Sequence, residues 1–241
     1  MIVRTHYEVG QTALSVVCDE PFLGIVKDAV FKAREIVESK IAEDPFFGIT
    51  FDPYPPDEKD DPLIIKMCQA SEIAGVGPMA GVAGAVAWYA VSKAVENGCK
   101  HIIVENGGDI AMSTDRTVRI GVFAGEEEFG DVALEVPATN RIAGICSSSG
   151  KIGPSVSFGS SGICTVFSDD VILADCCATA FGNLIKEGGK EEMSEAAERI
   201  CSIEGVNGCM CVCNGSVAVC GDVPELVRGR FGEDKLTGID Y

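Results

Sequence analysis

The chain has 241 residues, of which 46% are hydrophobic and 23% are charged. Such a composition can bury a core and excludes an intrinsically disordered chain. The formal net charge is −18. Because phosphate backbones and anionic membrane surfaces attract Lys and Arg, this charge disfavours nucleic acid and membranes as partners.

The first half of the chain predicts a hairpin, two helices and two strands. Alternation over residues 3–17 with a turn at 10–11 indicates a β-hairpin. Apolar residues at helical spacing predict a helix over 20–43, and the proline-rich, acidic segment 52–62 predicts an exposed loop. A strand over 63–68, an apolar helix over 79–97 that Gly98 ends and a strand over 101–105 follow.

The second half predicts short strands, two helices and a final hairpin. Asp169 or Asp170 can cap the first of these helices, and Asn214-Gly215 is a strong hairpin turn. Strands are predicted at 109–113, 117–123, 132–136 and 163–168, a Ser/Gly-rich loop at 147–162, and helices at 171–186 and 190–203.

The turn containing Gly75 and Gly77 opens the apolar helix and fits G-x-G-x-x-A up to Ala80. A dinucleotide fingerprint would need a strand directly before the first glycine and an acidic residue at the end of the next strand. Six residues separate the predicted strand from Gly75, and Glu105 comes late, which argues against a Rossmann site. The glycines can instead lend helix N–H groups to a phosphate or serve close packing.

Two further segments can present polar groups to a ligand. The turn Asn106-Gly107-Gly108-Asp109 exposes backbone N–H groups beside two polar side chains. The segment 146–151 resembles a P-loop, but five residues instead of four separate Gly144 from Gly150, and Ile152 follows the lysine where a hydroxyl residue is needed. Its serines, including Ser148 and Ser149, can still contact a polar ligand.

Asp175 and Thr179 lie four residues apart, on one face of a predicted helix. A carboxylate in so apolar a segment is costly unless it has a partner. One carboxylate and one hydroxyl suit Mg²⁺, which keeps waters and binds substrate phosphates. The alternative is an aspartate that caps nearby N–H groups.

The chain has 12 cysteines and two histidines. The N-terminus has no signal-peptide pattern, so we expect a cytoplasmic location in which most thiols are free. Cys209, Cys211 and Cys213 share a face of the final hairpin with Cys220. They can be small core residues, a zinc or iron–sulfur site, or a redox pair of Cys209 with Cys220. Both histidines are expected to be structural, which disfavours a Ser–His–Asp triad.

Three motifs in order resemble the ApbE-type flavin transferase superfamily. They are the turn Asn106–Asp109, the segment Ser148-Ser149-Gly150 and the helix segment Asp175–Thr179. Residues 75–84 and 104–110 look closer still to a small cytoplasmic branch of it. The resemblance implies an α+β fold with mixed or antiparallel sheets around a buried Gly/Ala-rich central helix. It also implies a single domain over 1–241, which two interleaved subdomains could form.

The resemblance further implies FAD or FMN in a central cleft, with Mg²⁺ at Asp175 and Thr179. ApbE-type enzymes transfer FMN from FAD to a protein Thr or Ser. The transferases carry a Lys in a glycine-flanked segment before the central helix and a His between the second and third motifs. In this chain residues 79–84 contain no lysine, and there is no histidine between Gly150 and Asp175. The expected activity is therefore either Mg²⁺-dependent chemistry on a flavin or small phosphorylated ligand, or binding of that ligand without chemistry. A thiol or iron–sulfur protein is a third alternative, and unpaired strand edges are compatible with a homodimer.

Overall fold

The computed structural model describes residues 1–10, 12–121, 132–149 and 162–229, and the backbone alone of 239–240. The five helices in this part of the chain are α1 (Leu23–Glu43), α2 (Pro62–Ala74), α3 (Val82–Glu96), α4 (Val171–Leu184) and α5 (Lys190–Cys201). Short 3₁₀ turns span Glu20–Phe22, Pro45–Gly48 and Pro78–Gly81. The first turn leads into α1 and the last into α3.

The strands form two antiparallel sheets, and their bounds are β1 (Ile2–Val9), β2 (Thr12–Asp19), β3 (Ile102–Asn106), β4 (Asp109–Ser113), β5 (Val118–Gly121), β6 (Val132–Val136), β7 (Ala143–Ser148), β8 (Ile163–Ser168), β9 (Val206–Cys213), β10 (Ser216–Gly221), β11 (Glu225–Arg228) and β12 (Ile239–Asp240). The larger sheet has eight strands in the order β1-β2-β3-β4-β7-β8-β9-β10. The smaller sheet has four strands in the order β11-β6-β5-β12. The structure thus has the α+β class and the antiparallel sheets that the resemblance implies.

The large sheet lies between two apolar layers. Residues of alternate parity along each strand point to opposite faces. One face packs on the helices, with Val104, Ala111 and Cys146 among its buried residues. The other face packs on the small sheet, where Ile110 meets the cluster that contains Leu134. Only strand residues that point to the helical face can therefore contact α3 and α4.

The opening hairpin and the first helix are confirmed, but the predicted strand over 63–68 is wrong. These residues lie in α2, which begins at Pro62 after Asp61, whose side chain accepts a hydrogen bond from Leu63 N–H. Leu63, Ile64, Met67 and Cys68 are buried, a spacing of one helical face. The short apolar run is compatible with a buried strand and with one face of a helix. The preceding Asp61 and the initial Pro62 favour the helix.

The loop predicted over 147–162 is also wrong at its start, since its first two residues belong to β7. Residues 150–161 of that loop lie outside the described part of the chain. The sequence patterns also did not predict β11 and β12.

Within the described residues no single helix is long and apolar enough to cross a membrane, and α2 with Pro78–Glu96 reaches that length only as a pair bent by 109°.

The central helix α3 is buried as predicted, and it ends before Gly98, which has φ of +93°. Two glycines bring its N-terminal end close to α4. A Cβ on Gly81 would lie 2.7 Å from Cys176 Sγ, and one on Gly84 would lie 2.9 Å from Asp175 Cβ. Such distances are shorter than side chains tolerate, so the glycines allow the two helices to approach and place Asp175 against the start of α3.

The first turn of α4 is capped by Asp170, one of the two predicted capping residues. Its carboxylate accepts hydrogen bonds from Ile172 N–H at 3.0 Å and from Leu173 N–H at 3.1 Å. We expect Asp170→Ala to lower the free energy of unfolding by about 1 kcal/mol, the typical value of such a cap. Urea unfolding measures the loss. Asp169→Ala is the matched control because Asp169 makes exposed contacts, an ion pair with Arg141 and a 3.4 Å hydrogen bond from Asn207. Its loss should therefore be the smaller of the two, and an equal loss in both variants would contradict the assignment.

Candidate functional site

The first group of predicted site residues lies in the turn at the end of β3 and the start of β4. Gly107 has φ of +66° and Gly108 has φ of +105°, a backbone conformation that side chains disfavour. The carboxylate of Glu105 accepts a hydrogen bond from Gly108 N–H at 3.1 Å. The two glycines and Glu105 therefore fix the turn that separates Asn106 from Asp109.

Both polar residues of this turn bind neighbouring backbone. Asn106 Nδ2 donates to the carbonyl oxygen of Ala83, in the first turn of α3, at 3.1 Å. Asp109 Oδ1 accepts from Ser147 N–H on β7 at 3.2 Å. Both residues are 7% exposed, so the turn is tied to α3 on one side and to β7 on the other.

Asp175 extends from α4 to the start of α3, 91 residues away in sequence, where its Oδ2 accepts a hydrogen bond from Gly84 N–H at 2.7 Å. Ala83 N–H donates to the same carboxylate. The N-terminal end of a helix has unsatisfied N–H groups and a partial positive charge, which stabilise an anion. The capping interpretation of Asp175 is therefore observed, and its role as a Mg²⁺ ligand stays a prediction.

The two aspartates form a buried carboxyl pair, which we call the Asp109–Asp175 pair. Asp175 is 6% exposed, and its side chain shares a hydrogen bond with Asp109. Burial raises the pKa of Asp175 to about 7, against the lowering effect of the Gly84 hydrogen bond. Burial, and then the charge of Asp175, also raise the pKa of Asp109. Two carboxyl groups this close share a proton near neutral pH, or else need a cation.

The sequence patterns did not predict three groups next to this pair. The Cys146 thiol lies against Asp109 and contacts the carbonyl oxygen of Val171 at 3.5 Å, and burial raises its pKa. Glu105 was considered only as a ribose-binding acid, and the Gly84 N–H had no predicted role. The only available signal was the alternation along β7, which would place Cys146 on the helical face if β7 had been recognised as a strand.

Thr179 lies one turn beyond Asp175 on α4 and is half-buried. Among the described residues no group of three or more His, Cys, Asp or Glu side chains is arranged to hold a metal ion. A hard cation can nevertheless bind through one or two carboxylates and keep several waters. The carboxyl groups of the Asp109–Asp175 pair are ligands of this type, and Mg²⁺ binding by Asp175 with Thr179 stays a prediction.

The two predicted phosphate-binding glycines have local structural roles. Gly75 has φ of +70° and ends α2 in the left-handed conformation, as helix-terminating glycines commonly do. A Cβ on Gly77 would lie 2.0 Å from the carbonyl oxygen of Thr50, so this position excludes any side chain. The left-handed backbone conformation therefore accounts for Gly75 and close packing accounts for Gly77, and the contact of either glycine with a ligand stays a prediction.

The serines of the second motif lie at the end of β7, at the same end of the strands as the turn 106–109. Ser148 is 4% exposed, and its Oγ has no hydrogen-bond partner within the described residues. Ser149 Oγ donates to the carbonyl oxygen of Gly162 at 2.5 Å. Gly150 and Lys151 lie outside the described part of the chain. Contact of Ser148 and Ser149 with a ligand stays a prediction.

The final hairpin has the predicted register, with Cys213 opposite Ser216, Cys211 opposite Ala218 and Cys209 opposite Cys220. All cysteines are free thiols and most are buried. Cys211 lies 3.5 Å from the thiol of Cys164. The observed burial favours the interpretation of these residues as small core side chains.

The two histidines lie away from the carboxyl pair, in structural contacts. His6 Nδ1 shares a hydrogen bond with Ser15 at 3.0 Å. His101 is 1% exposed and its Nδ1 lies 3.4 Å from Asp115. Burial lowers the pKa of His101, which favours its neutral form.

The fold is that of the ApbE flavin transferases. The structure is similar to that of flavin transferase ApbE from Vibrio cholerae, with a TM-score of 0.59 over 91% of this chain and 96% of that one, at 9% identity. The apo form of flavinyl transferase ApbE from Pseudomonas stutzeri gives a TM-score of 0.57 over 91% and 94% of the two chains, at 11% identity. At these identities the likeness shows the fold alone.

The sequence comparisons show the family. The family model described as AbpE bacteria matches residues 2–218. A UPF0280 protein of Methanocella arvoryzae is 39% identical over 233 residues, which are 96% of this chain and 94% of that protein. The chain therefore belongs to this family of ApbE-like proteins.

Proposed function

We propose that this protein binds a flavin nucleotide, FAD or FMN, together with Mg²⁺ at the sheet edge formed by the turn 106–109, the end of β7 and the start of α3. The observation that carries the proposal is the Asp109–Asp175 pair. Each carboxyl group is buried, and the pKa of each is raised by that burial. Two desolvated carboxyl groups beside each other are stabilised by a cation that replaces their shared proton.

The donor set fits Mg²⁺ better than a softer ion. Asp175 and Asp109 offer carboxylate oxygens and Thr179 a hydroxyl, and all three are hard ligands. When bound there, Mg²⁺ would neutralise phosphate oxygens and act as a Lewis acid. A chain with net charge −18 repels a phosphorylated ligand. A bound metal ion would offset that repulsion.

The protein itself supplies groups that orient the ligand. The buried Oγ of Ser148, which has no partner in the described part of the chain, can donate to a phosphate or to a flavin ring acceptor. The Gly107-Gly108 turn presents backbone that a ligand can approach closely because neither residue has a side chain. Asn106 and Glu105 keep that turn in place through their bonds to Ala83 and Gly108.

Transfer of FMN to a protein is the second candidate function, and the retained Asp175 and Thr179 favour it. Binding without transfer is favoured by the sequence, which has no lysine in 79–84 and no histidine between Gly150 and Asp175. These are the segments in which the resemblance implies the remaining catalytic groups. We therefore infer that ligand binding is the main function and that the protein is cytoplasmic. An acceptor protein is required only if the protein transfers FMN.

Flavin fluorescence titrations with and without Mg²⁺ test the proposal. We expect FAD or FMN to bind in the presence of Mg²⁺, and Asp175→Asn to weaken that binding at least about tenfold, which equals ~1.4 kcal/mol. The matched control is Asp28→Asn, the same chemical change at an exposed position of α1, which should leave the affinity unchanged. Equal affinities in the two variants, or binding indifferent to Mg²⁺, would contradict the proposed site.

Product analysis separates the two candidate functions. Release of AMP from FAD and Mg²⁺, with or without an added acceptor protein, would establish phosphoryl-transfer chemistry. Binding without AMP release would identify a carrier or binding protein. Failure of both FAD and FMN to bind would exclude both functions.

A further inference from the structure

Two of the 12 cysteines stand apart from the others in their exposure. Ten are buried, whereas Cys201 and Cys220 are partly exposed. Cys201 is the last residue of α5, and Cys220 lies on β10, the strand at the end of the large sheet. The thiols that solvent can reach are therefore on two elements that pack together.

The thiols of Cys201 and Cys220 face each other. They share a side-chain hydrogen bond. Gly221 makes room for this contact, because a Cβ at that position would lie 2.6 Å from Cys201 Sγ. Burial, and then the hydrogen bond to Cys220, raise the pKa of Cys201 to about 11.

Cys209 is a weaker partner for Cys220 than the sequence suggests. It lies opposite Cys220 in the hairpin register, but it is fully buried. Its thiol already contacts the carbonyl oxygen of Ala197 at 3.4 Å. A small oxidant can reach Cys201 and Cys220 from solvent, and it cannot reach Cys209 without local opening of the hairpin.

We propose that Cys201 and Cys220 form a dithiol that reacts with low-molecular-weight disulfides, of the glutathione disulfide class, and closes to an intramolecular disulfide. In the first step the thiolate of Cys220 attacks one sulfur of the small disulfide, forms a mixed disulfide and expels one small thiolate. In the second step the sulfur of Cys201 attacks the Cys220 sulfur, and its proton passes to the leaving small thiolate. Two protein thiols are oxidised, one small disulfide is reduced and two small thiols are released.

The order of attack follows from the surroundings of the two sulfurs. Cys201 Sγ lies against the backbone of Gly221, whereas Cys220 lies on β10, the outermost strand of the large sheet, so Cys220 is the entry sulfur. Once Cys220 carries the small thiol, the contact between the two side chains makes the second step intramolecular and favoured over attack by a second small thiol. In a reducing compartment such a disulfide is transient and reversible.

The experiment uses the full chain, reduced and desalted without oxygen, then incubated with oxidised glutathione. After an acid quench, maleimide labelling under denaturing conditions and intact-mass analysis count the remaining thiols. We expect the folded protein to lose two of its 12 thiols, and peptide mapping to find Cys201 joined to Cys220. The mapping needs no variant, so it does not depend on the folding of a mutant.

Serine variants separate this dithiol from its alternatives. Cys201→Ser should stop at a glutathione mixed disulfide on Cys220, whereas Cys209→Ser should still lose two thiols. A peptide that joins Cys209 to Cys220, or loss of two thiols in Cys201→Ser, would overturn the assignment. Retention of all thiols by the folded wild-type protein would overturn the proposal itself.

Discussion

Replacing Gly84 by alanine is expected to destabilise the protein by about 2 kcal/mol, although alanine is the better helix former. The added Cβ would lie 2.9 Å from Asp175 Cβ and 3.0 Å from the carbonyl oxygen of Val171. Because one of these atoms belongs to the backbone of α4, α3 and α4 must separate. That movement also lengthens the 2.7 Å hydrogen bond between Gly84 N–H and Asp175.

The readouts for Gly84→Ala are thermal unfolding and Mg²⁺-dependent flavin affinity. A loss of this size lowers Tm by roughly 4–8 °C in a chain of this length, and the affinity should fall with it because Asp175 moves. Gly24→Ala is the matched control, since Gly24 is exposed in the first turn of α1 and a Cβ there meets nothing within 4 Å. We expect that control to be neutral or more stable by up to about 1 kcal/mol. Equal stability of the two variants would disprove the close approach of α3 and α4.

Local sequence patterns were sufficient to predict secondary structure where a long segment had a single hydrophobic periodicity. Helix α1 could be predicted from its apolar face, and the register of the final hairpin from Asn214-Gly215. The six-residue run 63–68 fits both a buried strand and a helical face, and the capping by Asp61 that decides for α2 is a feature of the neighbouring residues. Strand β7 was missed because its Ser-rich end has the composition of a loop.

The site could be predicted as a set of residues but not as an arrangement. Asp175 was identifiable because a carboxylate in an apolar helix needs a partner, and the Gly-Gly turn identified Asp109. That the two carboxyl groups meet depends on the packing of α4 on β4 and β7, which brings together residues far apart in sequence. No short-range pattern carries that information, and the same holds for the contact between Cys201 and Cys220.

The second large effect is a loss of stability with rising pH in the metal-free protein. Aspartate in an unfolded chain has a pKa of about 3.9, whereas burial raises the pKa of Asp175 to about 7. Between these values the folded state binds a proton that the unfolded state has lost, so the free energy of unfolding falls as pH rises. A difference of about three units corresponds to a loss on the order of 4 kcal/mol between pH 4 and pH 7.

Mg²⁺ should reverse this loss, because it binds the ionised Asp109–Asp175 pair and competes with the shared proton. Urea unfolding at pH 5, 6, 7 and 8, with and without Mg²⁺ at constant ionic strength, measures both effects. We expect the stabilisation by Mg²⁺ to grow from pH 6 to pH 8.

Asp175→Asn isolates the contribution of the pair from other titrating groups. Burial lowers the pKa of His101, so His101 alone makes stability rise with pH up to about 6.5. The difference between the wild-type and Asp175→Asn curves cancels that contribution. We expect the difference to decline steadily from pH 5 to pH 7 and the Mg²⁺ effect to disappear in the variant. Parallel curves would show that Asp175 is ionised in the folded protein throughout this range, and the carboxyl pair would then have no shared proton for Mg²⁺ to displace.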